Sequence, residues 1–453
     1  MTTSDSPGAT RALVERVRKI RYEEIPEDAR EVARHCLLDF LGCALAGADD
    51  PLTGILVREI AATEGGAQAG LIGRFERATL QTAALINGAA GHALDFDDTH
   101  TAMGHPSVPV LPALLALAES RGADGRELLA ALVAGIEMEC RLGLLGGQGH
   151  YAAGFHSTAT YGTFGAAAAC AHLLRLEESA WLNAMGLAGT QAAGLKSGFG
   201  TMAKPLHAGR AASSGLLAAL LARGGFTAQP AILEVPQGFA ATHACDEPTA
   251  EALAAQPERL LIRDTLFKYH AACYLTHAAI EAARRLREQD GVDPEKITAV
   301  EVQVNPALLA VCNIEAPTTG LEGKFSLRAT TALGFLDRDT GDPDLYSAAT
   351  MADPVLIALR DRVHVAPTAE LSVTQSRLVV ESQSGRREQL VDTGIPAPDL
   401  ADQGRRLREK FGVLASRRLG ADRADALAAA VASIEEPGAL AEVLRQACGS
   451  AVE

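Results

Sequence analysis

Residues 296–306 read KITAVEVQVNP, and at this point the chain changes its hydrophobic period. Val300, Val302 and Val304 alternate with polar neighbours, the period of two expected of a half-buried strand. Residues 369–394, AELSVTQSRLVVESQSGRREQLVDTG, read as two more strands joined by a hairpin turn at Ser384–Gly385. Between them TGLEGKFSLRATTALGFLD, residues 319–337, has helical spacing. Up to about residue 265 the pattern is helical. In IPEDAREVARHCLLDFLGCALAG, residues 25–47, Pro26 comes early, acids fill the first turn, apolar residues recur at three and four, and Gly47 closes the run. Residues 124–145, 158–176, 179–195 and 208–226 repeat this theme, and residues 422–448 return to it. The expected fold class is mainly α: a large all-α helical domain over 1–267, with 400–453 returning to it, and a smaller α+β lid domain over 268–399. Aromatics are only 4% against 43 glycines, so close approach of helix backbones must supply much of the core.

At 453 residues the chain is too long for one ordinary core, which agrees with two domains. A formal net charge of -15 argues against nucleic acid or an anionic membrane as partner. It also means that an anionic substrate needs a local basic pocket. The eight cysteines show no CxxC pair and no metal-ligand spacing, and read as small buried hydrophobes in a reducing compartment. The start, MTTSDSPGAT, lacks the order of a signal peptide, and no uninterrupted apolar run reaches membrane-spanning length. A cytoplasmic location is expected.

Four stretches concentrate ionisable groups. In INGAAGHALDFDD, residues 86–98, a continuous helix would place His92, Asp95 and Thr99 on one face, with Asp98 in reach and Asp97 pointing elsewhere. Gly104 and Pro106 would then end regular structure and leave His105 on a loop. The alternatives are an acidic helix end with solvated histidines, or a metal site, for which no spacing here matches a known motif. In GFHSTATYGTFGAAAA, residues 154–169, His156 stands at a helix start, where backbone N–H groups favour an anion. GFGTMAKPLHAGRAASSG, residues 198–215, carries Lys204, His207 and Arg210 just before a helix, a candidate carboxylate clamp or else a solvated basic turn. FKYHAACYLTHAAIEAARRL, residues 267–286, carries Lys268 and His277, the latter on an apolar helix face, where a satisfied core histidine is the commoner reading.

Together, NGAAGHALDFDDTH, GFHSTATYGTFGAAAA, MAKPLHAGRAA and FKYHAACYLTHAAIEAA resemble the motifs of the MmgE/PrpD family, in the same order and over almost the whole chain. That family holds 2-methylcitrate dehydratase, cis-aconitate decarboxylase and iminodisuccinate epimerase. The resemblance implies a large helical domain plus a smaller α+β lid, a homodimer, and no metal or organic cofactor. It also implies a site built from the residues matching Asp95, Thr99, His105, His156, Lys204 and His277. Asp95, His105, His156, Lys204 and His277 are then the expected catalytic set. Thr99, His207, Arg210, Lys268 and Arg328 are the expected substrate-binding set.

The chemistry such a family shares, as the resemblance implies, is the making or breaking of a C–H bond beside a carboxylate of a small di- or tricarboxylate, here by a cofactor-independent enzyme that abstracts the proton. A histidine suits the proton transfer because its pKa lies near working pH, and a lysine suits the developing negative charge. The loop DDTHTAMGHPSVPVLP differs from the longer loop of the dehydratases, and Arg328 in KFSLRATTA stands where the decarboxylase has a tyrosine. By exclusion, iminodisuccinate epimerisation is the leading expectation, with 2-methylcitrate dehydration or cis-aconitate decarboxylation as the alternative. A non-catalytic metabolite-binding scaffold is the remaining possibility, and the intact set of polar residues counts against it.

Overall fold

A computed structural model describes residues 8–449. Residues 1–7, which carry most of the stretch read as lacking a signal peptide, lie outside the described residues. The chain divides by contact into two compact units: Met1–Phe267 with Pro398–Glu453, and Lys268–Ala397.

The first unit is built from helices whose ends the sequence marks. Pro26 stands immediately before the Glu27–Gly47 helix, and Asp124 caps the Gly125–Gly146 helix in a reciprocal box with Glu127. The Ser157–Leu173 helix is buried along its length except at His172, and packs on Gly125–Gly146 and Ala203–Arg223. Such depth suits its sequence, in which alanine, glycine and threonine predominate. Close approach is literal at two glycines. A Cβ on Gly47 would run into the carbonyl oxygen of Ala90, and one on Gly209 into that of Leu85. The Leu80–His92 helix is therefore held between two neighbours at backbone contact distance. The Leu400–Leu419 helix packs on Glu27–Gly47 within this unit.

The unit is not purely helical: Ala69–Gly70 and Arg77–Ala78 pair as a short antiparallel ribbon. Two-residue strands carry no period, so the sequence held no signal for them. Among the described residues no single helix is long and apolar enough to cross a membrane.

The second unit has a four-stranded sheet in the order Val363–Pro367, Ile297–Val304, Gln375–Ser382, Gly385–Asp392. The first pair is parallel and the other two antiparallel. Val300, Val302 and Val304 are buried, as their alternation requires. The hairpin turn falls one residue earlier than expected: Ser382 pairs with Gly385, leaving Gln383–Ser384 as the two-residue connection. Gly385, with φ +108, starts the returning strand. The Tyr274–Glu288 helix packs against Leu327–Phe335 and against the two hairpin strands.

Candidate active site in the helical unit

The continuous helix expected through residues 86–98 does not form. The Leu80–His92 helix stops at His92, and Asp95 turns the chain with φ +50, a left-handed conformation that aspartate tolerates better than most residues. Residues 93–106 then wrap into irregular structure that the Ser107–Arg121 helix resumes directly after Pro106. His105 lies on the loop expected for it, just before this helix, and donates its backbone N–H to Thr158 Oγ1 at 3.1 Å. Asp97, expected to point away, lies at the centre of the cluster. It is buried, and both its oxygens face His92 Nδ1, at 2.8 and 3.0 Å.

The geometry fixes proton positions. Asp97 Oδ1 and Oδ2 can only accept, so His92 Nδ1 carries the hydrogen and Nε2 the lone pair. His105 Nδ1 lies 2.8 Å from the carbonyl oxygen of Asp98 and 3.2 Å from Asp97 Oδ2, again facing acceptors only. Its other nitrogen, Nε2, is 3.5 Å from Asp95 Oδ1, and that oxygen is 2.8 Å from Lys204 Nζ. Lys204, Asp95 and His105 thus form a continuous polar row. His156 Nδ1 is 3.2 Å from His207 Nδ1, and the His156 ring stands edge-on to Phe199, with centroids 4.9 Å apart. The His92 ring lies between the others, 4.5 Å from His105 and 6.1 Å from His156 by centroid.

Burial sets the charges. It pushes His156 down to about 2, helped by the neighbouring His92 and Lys204, and His92 down to about 4 against the pull of Asp97. His207 is lowered for the same reason. Burial works to raise the Asp97 carboxyl, yet His92 and His105 hold it well below its ordinary value. Asp98 differs: burial, with Asp39 nearby, pushes it up to about 8, although Ser107 donates to it from both backbone and hydroxyl. At neutral pH His92, His156 and His207 are therefore uncharged imidazoles packed close to Lys204.

One atom each from His92, Asp95, Asp97 and His105 lies within 4.8 Å of the others, a spacing a small cation could bridge. Those atoms are already engaged: Asp95 by the Lys204 ammonium, Asp97 by His92 and His105. A cation would have to displace an ammonium and two N–H donors, so the donor set fits proton handling better than ligation.

The remaining expected residues are placed as follows. Thr99 donates its hydroxyl to the Gly104 carbonyl oxygen at 3.1 Å and exchanges backbone hydrogen bonds with Leu266, so it closes the 99–104 turn. Lys204, His207 and Arg210 lie inside the first turns of the Ala203–Arg223 helix rather than before it. Arg210 is exposed, so the clamp expected of three cationic groups reduces to Lys204 and His207. His277, Lys268 and Arg328 belong to the second unit. His277 is buried with Nε2 3.3 Å from the Ala272 carbonyl oxygen, and burial beside His270 lowers it well below its ordinary value. Lys268 is buried, and Arg328 pairs with the exposed Glu315 at 2.9 Å. Asp97 was missed because a helix assumed to continue past 92 sends it to the far side; His92 was placed on the face of Asp95 and Thr99 but left out of the expected site set.

Family models match the chain in two parts: the MmgE/PrpD N-terminal domain over residues 11–252 and the MmgE/PrpD C-terminal domain over residues 270–436. The chain is 28% identical to the cis-aconitate decarboxylase-like protein oryM of Aspergillus oryzae, over 98% of each. It is 29% identical to the cis-aconitate decarboxylase of Aspergillus terreus over 73% of this chain and 72% of that protein. Against the cis-aconitate decarboxylase of Homo sapiens the identity is 36%, over 46% of this chain and 44% of that one.

Proposed function

The chain belongs to the MmgE/PrpD family, and on that premise we propose that it is a lyase acting on a small tricarboxylate, with decarboxylation of cis-aconitate as its reaction. The named relatives move the choice from the epimerisation favoured by exclusion to this alternative. The observation that carries the proposal is the row Lys204–Asp95–His105 beside the neutral pair His156–His207.

In this reading Lys204 neutralises a substrate carboxylate, and His105 Nε2 handles the proton, because its Nδ1 is committed to Asp98 and Asp97. The bond to the departing carboxylate breaks and CO2 leaves. The electron pair left behind becomes a new carbon–carbon double bond, the old one shifts its electrons to its far carbon, and that carbon takes one proton. Anionic substrate entering beside His156 offsets the burial that keeps this imidazole neutral, and gives the site a second proton carrier.

Proton NMR in D2O, with cis-aconitate, 2-methylcitrate and iminodisuccinate in separate tubes, tests this. Itaconate carrying one deuterium, formed from cis-aconitate alone, is the expected result. Deuterium exchange and loss of optical purity in iminodisuccinate would return the assignment to an epimerase, and an alkene from methylcitrate to a dehydratase. His105→Ala should lower kcat by about 10²–10⁴-fold, the usual range for loss of a general acid or base.

A further inference from the structure

We propose that Asp97 is a positioning residue: its carboxylate locks His92 in the Nδ1–H tautomer and braces the Nδ1–H of His105, so that Nε2 remains the proton-carrying atom of His105. The inference rests on the proton-transfer role given to His105 above, while its local part stands on geometry.

Asp97 faces His92 Nδ1 with both oxygens and lies 3.2 Å from His105 Nδ1 with Oδ2. The opposite tautomer of His92 is disfavoured twice. It would set a nitrogen lone pair against a carboxylate at 2.8 Å, and it would place a hydrogen on Nε2. Nε2 is buried and has no hydrogen-bond partner among the described residues, so a hydrogen there would be stranded. A bare Nε2 loses far less. His105 is braced by two acceptors, the Asp98 carbonyl and Asp97, so its ring cannot turn over without abandoning both. Because the His92 ring packs edge-on against His105 and stacks towards His156, its orientation also sets the spacing of the other two imidazoles.

The carboxylate is itself fixed. Asp95 takes its left-handed turn two residues earlier, and Lys410 Nζ donates to the carbonyl oxygen of Phe96, the preceding residue, at 2.6 Å. An asparagine at 97 keeps the shape but holds only one acceptor atom. Turned with its oxygen in the Oδ2 place, the amide can still accept from both Nδ1–H groups, but its NH2 then stands in the Oδ1 place, 2.8 Å from His92 Nδ1, and the negative charge that disfavours the other His92 tautomer is gone.

The test uses the full-length protein labelled with 15N-histidine, its imidazole nitrogens read by long-range 1H–15N NMR and assigned with His92→Gln and His105→Gln. In the wild type both His92 and His105 should show a hydrogen on Nδ1, and His92 should show none on Nε2. In Asp97→Asn part of the His92 population should carry its hydrogen on Nε2 instead. In the same variant kcat should fall about 100-fold with KM within about threefold, as expected when a group orienting a catalytic histidine is removed. Asp97→Glu should recover the wild-type pattern at His92 and part of kcat. A wild-type His92 with its hydrogen on Nε2 overturns the proposal without recourse to any variant. So does an Asp97→Asn protein with unchanged tautomers, or one with altered tautomers and undiminished kcat. Failure of the wild type to turn over any substrate would sink the assigned reaction instead, and the tautomer spectra would still decide the role of Asp97.

Discussion

Replacing Lys410 by methionine removes a buried ammonium that ties the carboxy-terminal Leu400–Leu419 helix to the site. Its Nζ donates to Asp39 Oδ1 and to the Phe96 carbonyl oxygen, each at 2.6 Å, and stands 4.0 Å from the centroid of the Phe96 ring. Burial works against the charge, but the Asp39 carboxylate more than compensates and raises Lys410. Lys410→Met leaves a buried carboxylate without its partner, at a cost of about 3–5 kcal/mol. Asp39→Leu leaves the ammonium with only a carbonyl, at a cost of about 3 kcal/mol on the same reasoning. Combining the two removes both charges and fills the space, and the Phe96 carbonyl and the Asp98 backbone N–H that it leaves without these partners are losses the single variants already contain. The coupling between the two positions should therefore be at least about 2 kcal/mol in favour of the double variant. Urea unfolding followed by the emission of Trp181, the sole tryptophan, reports on this unit because that residue is buried within it. A Lys410→Met cost below about 1 kcal/mol, or a double variant equal to the sum of the singles, would refute the reasoning.

Other consequences are as direct. Asp98 is held near 8 in the folded protein against an ordinary carboxyl value when unfolded, so the folded state binds the extra proton and loses stability as pH rises towards 8. Relative to Asp98→Asn, the wild type should lose about 1.4 kcal/mol per pH unit between pH 5 and 7.5, and parallel curves for the two proteins would contradict this. Gly209→Ala gains about 1 kcal/mol of helix propensity but drives a Cβ into the Leu85 carbonyl, for a net loss of about 2 kcal/mol. Gly412→Ala, in the Leu400–Leu419 helix with nothing within 4 Å of the new Cβ, should instead gain about 0.5–1 kcal/mol. Equal signs for these two in urea titrations would show that propensity, not packing, decides. In the second unit Cys312 Sγ lies 3.3 Å from Cys273 Sγ. Hydrogen peroxide should link them, two thiols giving one disulfide as peroxide is reduced to water, and a peptide map without a 273–312 crosslink would be against it.

Much of the fold was legible because its signals are local. Pro26 and Gly47 bracket one helix, Asp124 and Glu127 cap another, and the valines at 300, 302 and 304 announce a strand. The strand Val363–Pro367 escaped notice because its five residues mix polarity and it pairs in parallel with Ile297–Val304, a partner some sixty residues away. At the site, residue types and order pointed to Asp95, His105, His156 and Lys204. The place of Asp97 depended on a helix stopping at His92, and ALDFDD contains neither glycine nor proline to say so.

The sequence by itself determined the helical character of the first unit, the alternating strands of the second, and the stock of imidazoles and carboxylates from which the candidate site is made. Those follow from side-chain period and residue type, which need no distant partner. Only the tertiary structure decided which carboxylate faces which histidine, that Arg210 is exposed while Asp97 and His92 are buried, and that Lys410 reaches back to Asp39 and Phe96. Tautomer and charge depend on distances of a few ångströms and on exclusion from water. Both are set by contacts between residues up to 371 positions apart, which no local pattern records.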